Sequence, residues 1–108
     1  HLRNEHVALR RGDTLFLESE SRNVYAAIRY YEDDVILVLI NFSGRAVDDY
    51  ALSLAESPFS SVQGATQLLG EAANIELPEF DEQGGFSGYL PLVELPPRSA
   101  YIFQLNMP

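Results

Sequence analysis

Between Val24 and Phe42 the sequence spells out two strands and the turn that joins them. Val24–Tyr31 alternates, with Val24, Ala26, Ile28 and Tyr30 on one face and Tyr25, Ala27, Arg29 and Tyr31 on the other. Successive side chains of a strand point to opposite faces, so this is the pattern of a strand with one face in a core. Glu32-Asp33-Asp34 supplies a tight polar turn. Val35–Phe42 is apolar almost throughout, which suits a strand covered on both sides. A chain that carries these two segments back to back is committed to a β-hairpin whose second strand needs cover above and below.

The rest of the chain extends this pattern. Thr14–Glu18 sets Leu15 and Leu17 against Phe16, and Glu18–Asn23 is a polar turn. Val47–Leu54 alternates again, with Tyr50, Leu52 and Leu54 facing one way. Ala55–Gly64 is loop-like, and Thr66–Leu69 is a short strand. Glu71–Gly85 is acidic, broken by Pro78 and Gly84-Gly85, and predicts an exposed excursion with one short strand at Asn74–Leu77. Phe86–Leu95 is one strand or two, interrupted by Pro91, which favours a sheet edge. Ala100–Leu105 closes the chain with Tyr101, Phe103 and Leu105 on one face. Six or seven short strands at roughly 8–12-residue spacing predict an all-β fold, an antiparallel β-sandwich.

One segment departs from period two. Leu2, His6 and Leu9 fall at i, i+4 and i+7 within Leu2–Arg11, the stripe of a short N-terminal helix. Arg10 and Arg11 suit its C-terminal dipole, and Gly12 suits its end. A helix this short is marginal alone in water, so its stripe needs something to pack on. The chain begins at His1 without an initiator methionine and reads as a piece of something longer.

With 108 residues and a formal charge of -9, the chain is one acidic domain. The charge repels phosphate backbones and anionic lipid, which argues against nucleic-acid and membrane partners. No apolar run approaches the roughly 18 residues of a membrane helix. There is no cysteine, which removes disulfides, thiol nucleophiles and thiolate metal sites. The two histidines, His1 and His6, are too few for a transition-metal site, and His6 sits on the helix stripe. Asp33-Asp34, Asp48-Asp49 and Asp81-Glu82 are adjacent acidic pairs in turns, the signature of a solvated rim. None builds a calcium loop, and glycoside hydrolysis needs two carboxylates facing each other across a cleft. No phosphate-binding glycine loop is present. The sequence therefore predicts no catalytic, cofactor-binding or metal site. Sugar stacking is the open alternative: Tyr31 and Tyr50, beside polar turns, are the aromatics to carry it, against a plainer reading as core residues.

Several segments, in order, resemble the C-terminal end of α-amylase superfamily enzymes, family 13 of the glycoside hydrolases. Leu2-Arg3, then His6-Val7-Ala8-Leu9-Arg10, then Gly12 resembles the segment that closes the last helix of the catalytic barrel. Val7 stands where that family has proline, so the helix runs on unbroken. Val24-Tyr25-Ala26 with Arg29, Val35–Ser43 ending in Asn41-Phe42-Ser43, Leu68-Leu69-Gly70-Glu71 and Leu95–Tyr101 resemble successive parts of the all-β domain that follows.

The resemblance implies that residues 1–12 are the end of a barrel and 13–108 an accessory β-sandwich with Greek-key connections. It implies a parent glycosidase or transglycosidase acting on α-glucans such as starch, whose catalytic carboxylates lie on the barrel and match nothing here. The implied partner is that barrel, met through Leu2, His6 and Leu9. The alternatives are an α-glucan-binding module and an unrelated protein-interaction sandwich.

Overall fold

The computed structural model describes residues 13–31, 34–69 and 75–106. The helix expected at Leu2–Arg11 lies outside these residues. What they form is all-β, arranged as two antiparallel sheets. The strands are β1 (Asp13–Phe16), β2 (Glu18–Ser19), β3 (Val24–Tyr31), β4 (Asp34–Asn41), β5 (Leu52–Leu54), β6 (Gly64–Leu69), β7 (Phe86–Tyr89) and β8 (Ala100–Asn106). One sheet runs β1-β3-β4-β8-β6 and the other β2-β5-β7.

The hairpin that dominates the sequence is β3–β4, in register from Val24 opposite Asn41 to Tyr31 opposite Asp34. Its inner face buries Val24, Ala26 and Ile28 on β3 and Val35, Leu37 and Leu39 on β4. β8 adds Tyr101, Phe103 and Leu105 beside them. Leu52, Phe86 and Tyr89 of the second sheet belong to the same core, so the two sheets share one hydrophobic interior. The alternation expected of Val24–Tyr31 and Ala100–Leu105 is the one formed.

Three expected strands come out shorter. Thr14–Glu18 is divided: β1 pairs with β3, whereas β2 pairs with β5 in the other sheet. Leu17 makes the crossing, buried, its N–H donating to Ala26 O at 3.0 Å. Val47–Leu54 keeps regular pairing only over β5, and Val47 makes an isolated bridge to Leu95. Phe86–Leu95 stops at Tyr89, ahead of Pro91, on an edge of its sheet.

The acidic excursion differs more. Residues 75–77 form no strand, and 75–85 fold back onto the domain instead of projecting from it. Pro78, Gly84 and Gly85 are buried. A file of rings explains the return. Tyr30 meets Phe59 at 5.2 Å, Phe59 meets Phe80 at 6.0 Å, Phe80 meets Phe86 at 5.7 Å, and Phe86 meets Tyr89 at 5.2 Å. Edge-on aromatic contacts of this kind add to the burial of the rings themselves. The apolar members Phe80 and Ile75, hidden among carboxylates in the sequence, anchor the excursion to the core.

Candidate functional site

Two segments that carry the family resemblance meet at one buried side chain. Asn41 ends β4 with 1% of its surface exposed. Its Nδ2 donates to Arg45 O at 3.0 Å, Leu95 O at 3.2 Å and Pro96 O at 2.9 Å. Its Oδ1 accepts from Ser43 N–H at 2.9 Å. The main chain continues the tie: Asn41 N–H donates to Ser99 O at 2.8 Å, and Arg98 N–H donates to Ser43 O at 2.9 Å. A carboxamide offers two donor hydrogens and an acceptor from one planar group, which is what a buried crossing of two turns requires. Arg98 sits at φ 49°, a left-handed conformation in the turn held by this node. These residues do structural work. None presents a nucleophile or a proton carrier to a cleft.

Tyr50 was a candidate for stacking on sugar, and its position rules that out: the residue has no exposed surface. Its hydroxyl donates to Leu92 O and accepts from Leu92 N–H at 2.9 Å. The ring thus stands in for a strand partner at Leu92, which is why residues 48–51 leave the regular ladder. Tyr89, also buried, donates from its hydroxyl to Glu76 O at 2.6 Å and holds the returning excursion. Burial pushes the Tyr50 hydroxyl up from 10.0 to about 12, with the hydrogen bond from Leu92 opposing it in part. Tyr89 is raised as well, by burial first and then by the charges of Tyr50 and Glu76.

Both tyrosines are neutral at physiological pH, so they leave stability unchanged below their ordinary titration range. Above pH 10.0, the ordinary value, the unfolded chain releases protons that the folded domain retains. Stability is therefore expected to fall with rising pH through that range. Urea unfolding at a series of alkaline pH values, followed with tyrosinate absorbance, reads it directly. Tyr50→Phe should lose about 1–2 kcal/mol at neutral pH, because Leu92 N–H and C=O lose their partner. It should also flatten the alkaline limb. A variant as stable as the parent, with the same alkaline limb, would show that the hydroxyl is not engaged.

Tyr31, the other stacking candidate, is 38% exposed at the end of β3. Phe16 and Tyr25 are exposed on the same sheet, but their rings meet edge-on at 68°, with centroids 6.3 Å apart. The near-parallel pair Tyr101–Phe103, at 5°, lies in the core. An open groove of about 990 Å³ crosses the three-stranded sheet. Glu18, Glu56, Glu76, Glu79 and Asp81 line it, over Phe86 and Tyr89. Asp81 is already engaged, its Oδ1 accepting from Gln83 N–H at 2.9 Å and Gly85 N–H at 2.8 Å. Among the described residues no three His, Cys, Asp or Glu side chains gather as a metal site would require. No described helix is long and apolar enough to cross a membrane.

Of the pairs read as acidic rim, Asp48-Asp49 and Asp81-Glu82 are exposed. Asp34 pairs into β4, and Asp33 lies outside the described residues. So do Leu2, His6 and Leu9. The Asn41 node was not foreseen; the signal for it was a single asparagine closing an otherwise apolar strand. Compared with known proteins, the chain matches no protein-family model and no curated protein.

Proposed function

We propose that this domain is the non-catalytic C-terminal β-sandwich of an α-amylase-type enzyme acting on α-glucans, and that it stabilises the catalytic barrel of the same parent chain. Residues 1–12 would be the connection to that barrel. β8 enters between β4 and β6 instead of pairing with its predecessor β7, in keeping with a Greek-key path. One observation carries the reading. Asn41-Phe42-Ser43 and Leu95–Ser99, separate motifs of the resemblance, are one structural unit here, joined through Asn41. Residues that resemble the family are used to shape a domain, which is what an accessory role asks of them.

The test is deletion of residues 13–108 from the parent enzyme. The expected result is a lower melting temperature of the barrel and loss of activity at temperatures the intact enzyme tolerates. Unchanged stability together with unchanged activity would sink the proposal. The glucan-binding alternative now rests on Tyr31, since Tyr50 is inside. An isotopically labelled domain titrated with millimolar maltoheptaose is expected to show no shift changes around Tyr31. Saturable changes centred there would move the assignment to a glucan-binding module.

A further inference from the structure

We infer that the end of the sandwich around Phe42 is a docking surface for a short acidic segment of another protein, which sets an apolar residue on the Phe42 ring and its carboxylates on Arg22, Arg45 and Arg98. Three turns meet there. Phe42 N–H donates to Asn23 O at 2.8 Å, and Arg98 N–H donates to Ser43 O at 2.9 Å. Arg45 N–H donates to the Ser43 hydroxyl at 3.1 Å. These bonds draw three of the four arginines among the described residues to one pole, and all three are exposed. None of them has an ion pair among the described residues. Phe42, in their midst, is 60% exposed. The pole is made of residues 21–23, 41–45 and 96–99, and stands at the end of the five-stranded sheet opposite Asp13.

Arg98 is held in the left-handed region at φ 49°, where glycine would escape the crowding of Cβ against the carbonyl. The turn needs no arginine for its shape, since the bond to Ser43 O uses the main chain. What the residue adds is a guanidinium. Its Nη2 lies 3.7 Å from where a Cβ on Gly44 would stand, over the turn that carries Arg45. Backbone strain that serves an exposed charge is a mark of function. Like charges without ion-pair partners repel, and a carboxylate from outside relieves the repulsion. Exposed aromatic and arginine side chains are also the residues that anchor protein interfaces. Charge selects the occupant. Elsewhere the domain is acidic: Glu18, Glu56, Glu76 and Glu79 line the groove over the three-stranded sheet, and Glu20 lines its continuation. A nucleic acid, an anionic bilayer or a second copy would set many negative charges against a chain of formal charge -9. A short segment brings only the few carboxylates that the arginines can match, each in a two-pronged fork. The surface is independent of the accessory-domain reading, since it belongs to this domain alone.

The experiment titrates the full 108-residue chain, labelled with nitrogen-15, with the end-blocked peptide Glu-Asp-Leu-Asp-Glu. Saturable shifts are expected at the amides of Phe42, Gly44, Arg45 and Arg98, and they should weaken several-fold as salt rises from about 50 to 300 mM. Their absence overturns the proposal. Arg45→Ala and Arg98→Gly should each weaken binding about fivefold, and Phe42→Ser should weaken it as well. Arg98→Gly carries a second readout: its urea midpoint should equal or exceed the parent's, because glycine accepts the left-handed backbone. Unchanged affinity in Arg98→Gly overturns the docking role. So does a lowered urea midpoint, which would make the arginine a part of the turn. A twelve-nucleotide single strand that shifts the same amides at lower concentration than the peptide overturns the choice of occupant. So does a dimer of the chain alone, seen by sedimentation equilibrium and lost in Arg98→Gly.

Discussion

Asn41→Ala is expected to cost the domain about 3 kcal/mol, read as a lower urea midpoint with an unchanged slope. The estimate follows from what is stranded. Leu95 O keeps the Val47 N–H at 2.9 Å, and Pro96 O keeps the Ser99 hydroxyl at 2.7 Å. Arg45 O and Ser43 N–H have Asn41 as their partner in the node. Two stranded main-chain groups near a closed core, at about 1–3 kcal/mol each, set the scale. Asn41→Asp separates hydrogen bonding from size. It keeps the shape but replaces the donor with an acceptor oxygen that faces three carbonyl oxygens, and it places a charge where 1% of the residue meets solvent.

Desolvation and the facing carbonyls would raise that carboxyl's pKa in the folded state. Folding then favours the protonated form, so the penalty is greatest above the raised pKa and shrinks as pH falls toward the ordinary carboxylate range. Asn41→Asp should therefore be less stable than Asn41→Ala at neutral pH and should recover on acidification, whereas Asn41→Ala should not. Equal stability of parent and Asn41→Ala would mean that the node holds nothing.

The strands were legible where one side chain in two is apolar and the neighbours agree. Val24–Tyr31 and Ala100–Leu105 follow the period-two rule, and Val35–Phe42 reads as a strand by its continuous apolar run. The failures share a cause. Val47–Leu54 also alternates, but Tyr50 turns inward to bond Leu92, 42 residues away, and local alternation carries no trace of that partner. The excursion at 75–85 reads as solvent-exposed because four carboxylates, a proline and two glycines break up its few apolar residues. Its fate is set by Phe80 and Ile75, two anchors too widely spaced to make a periodic signal. The stacking candidates illustrate the same limit: Tyr31 and Tyr50 both flank polar turns, and only the tertiary fold separates a half-exposed ring from a fully buried one. Pattern shows which faces are apolar; long-range polar pairing decides which loops return.

Gly84→Ala should be the most damaging glycine-to-alanine substitution among the described residues, at about 3–5 kcal/mol, and the reason lies in that returning loop. Gly84 has φ 78°, and a Cβ there would stand 2.1 Å from Ser57 O and 2.8 Å from Ser57 C. Both atoms are main chain and cannot rotate away. They are also pinned, since Ser57 N–H donates to Gln83 O at 3.0 Å and the Ser57 hydroxyl donates to Gly84 O at 2.6 Å. Relieving the clash means breaking the seam between residues 54–59 and 81–85. That would also withdraw the wall of the acidic groove that carries Glu79 and Asp81. Gly88 is the control, with φ 65° and open space where its Cβ would go. Gly88→Ala carries only the left-handed penalty of about 1 kcal/mol. Gly85→Ala carries the reverse, a Cβ 2.4 Å from the carbonyl oxygens of Leu54 and Ala55 without a left-handed backbone. The expected order of stability is therefore Gly88→Ala above Gly85→Ala above Gly84→Ala, read from thermal midpoints. If Gly84→Ala melted together with Gly88→Ala, the close seam would be absent and the excursion would be held by its aromatic file alone.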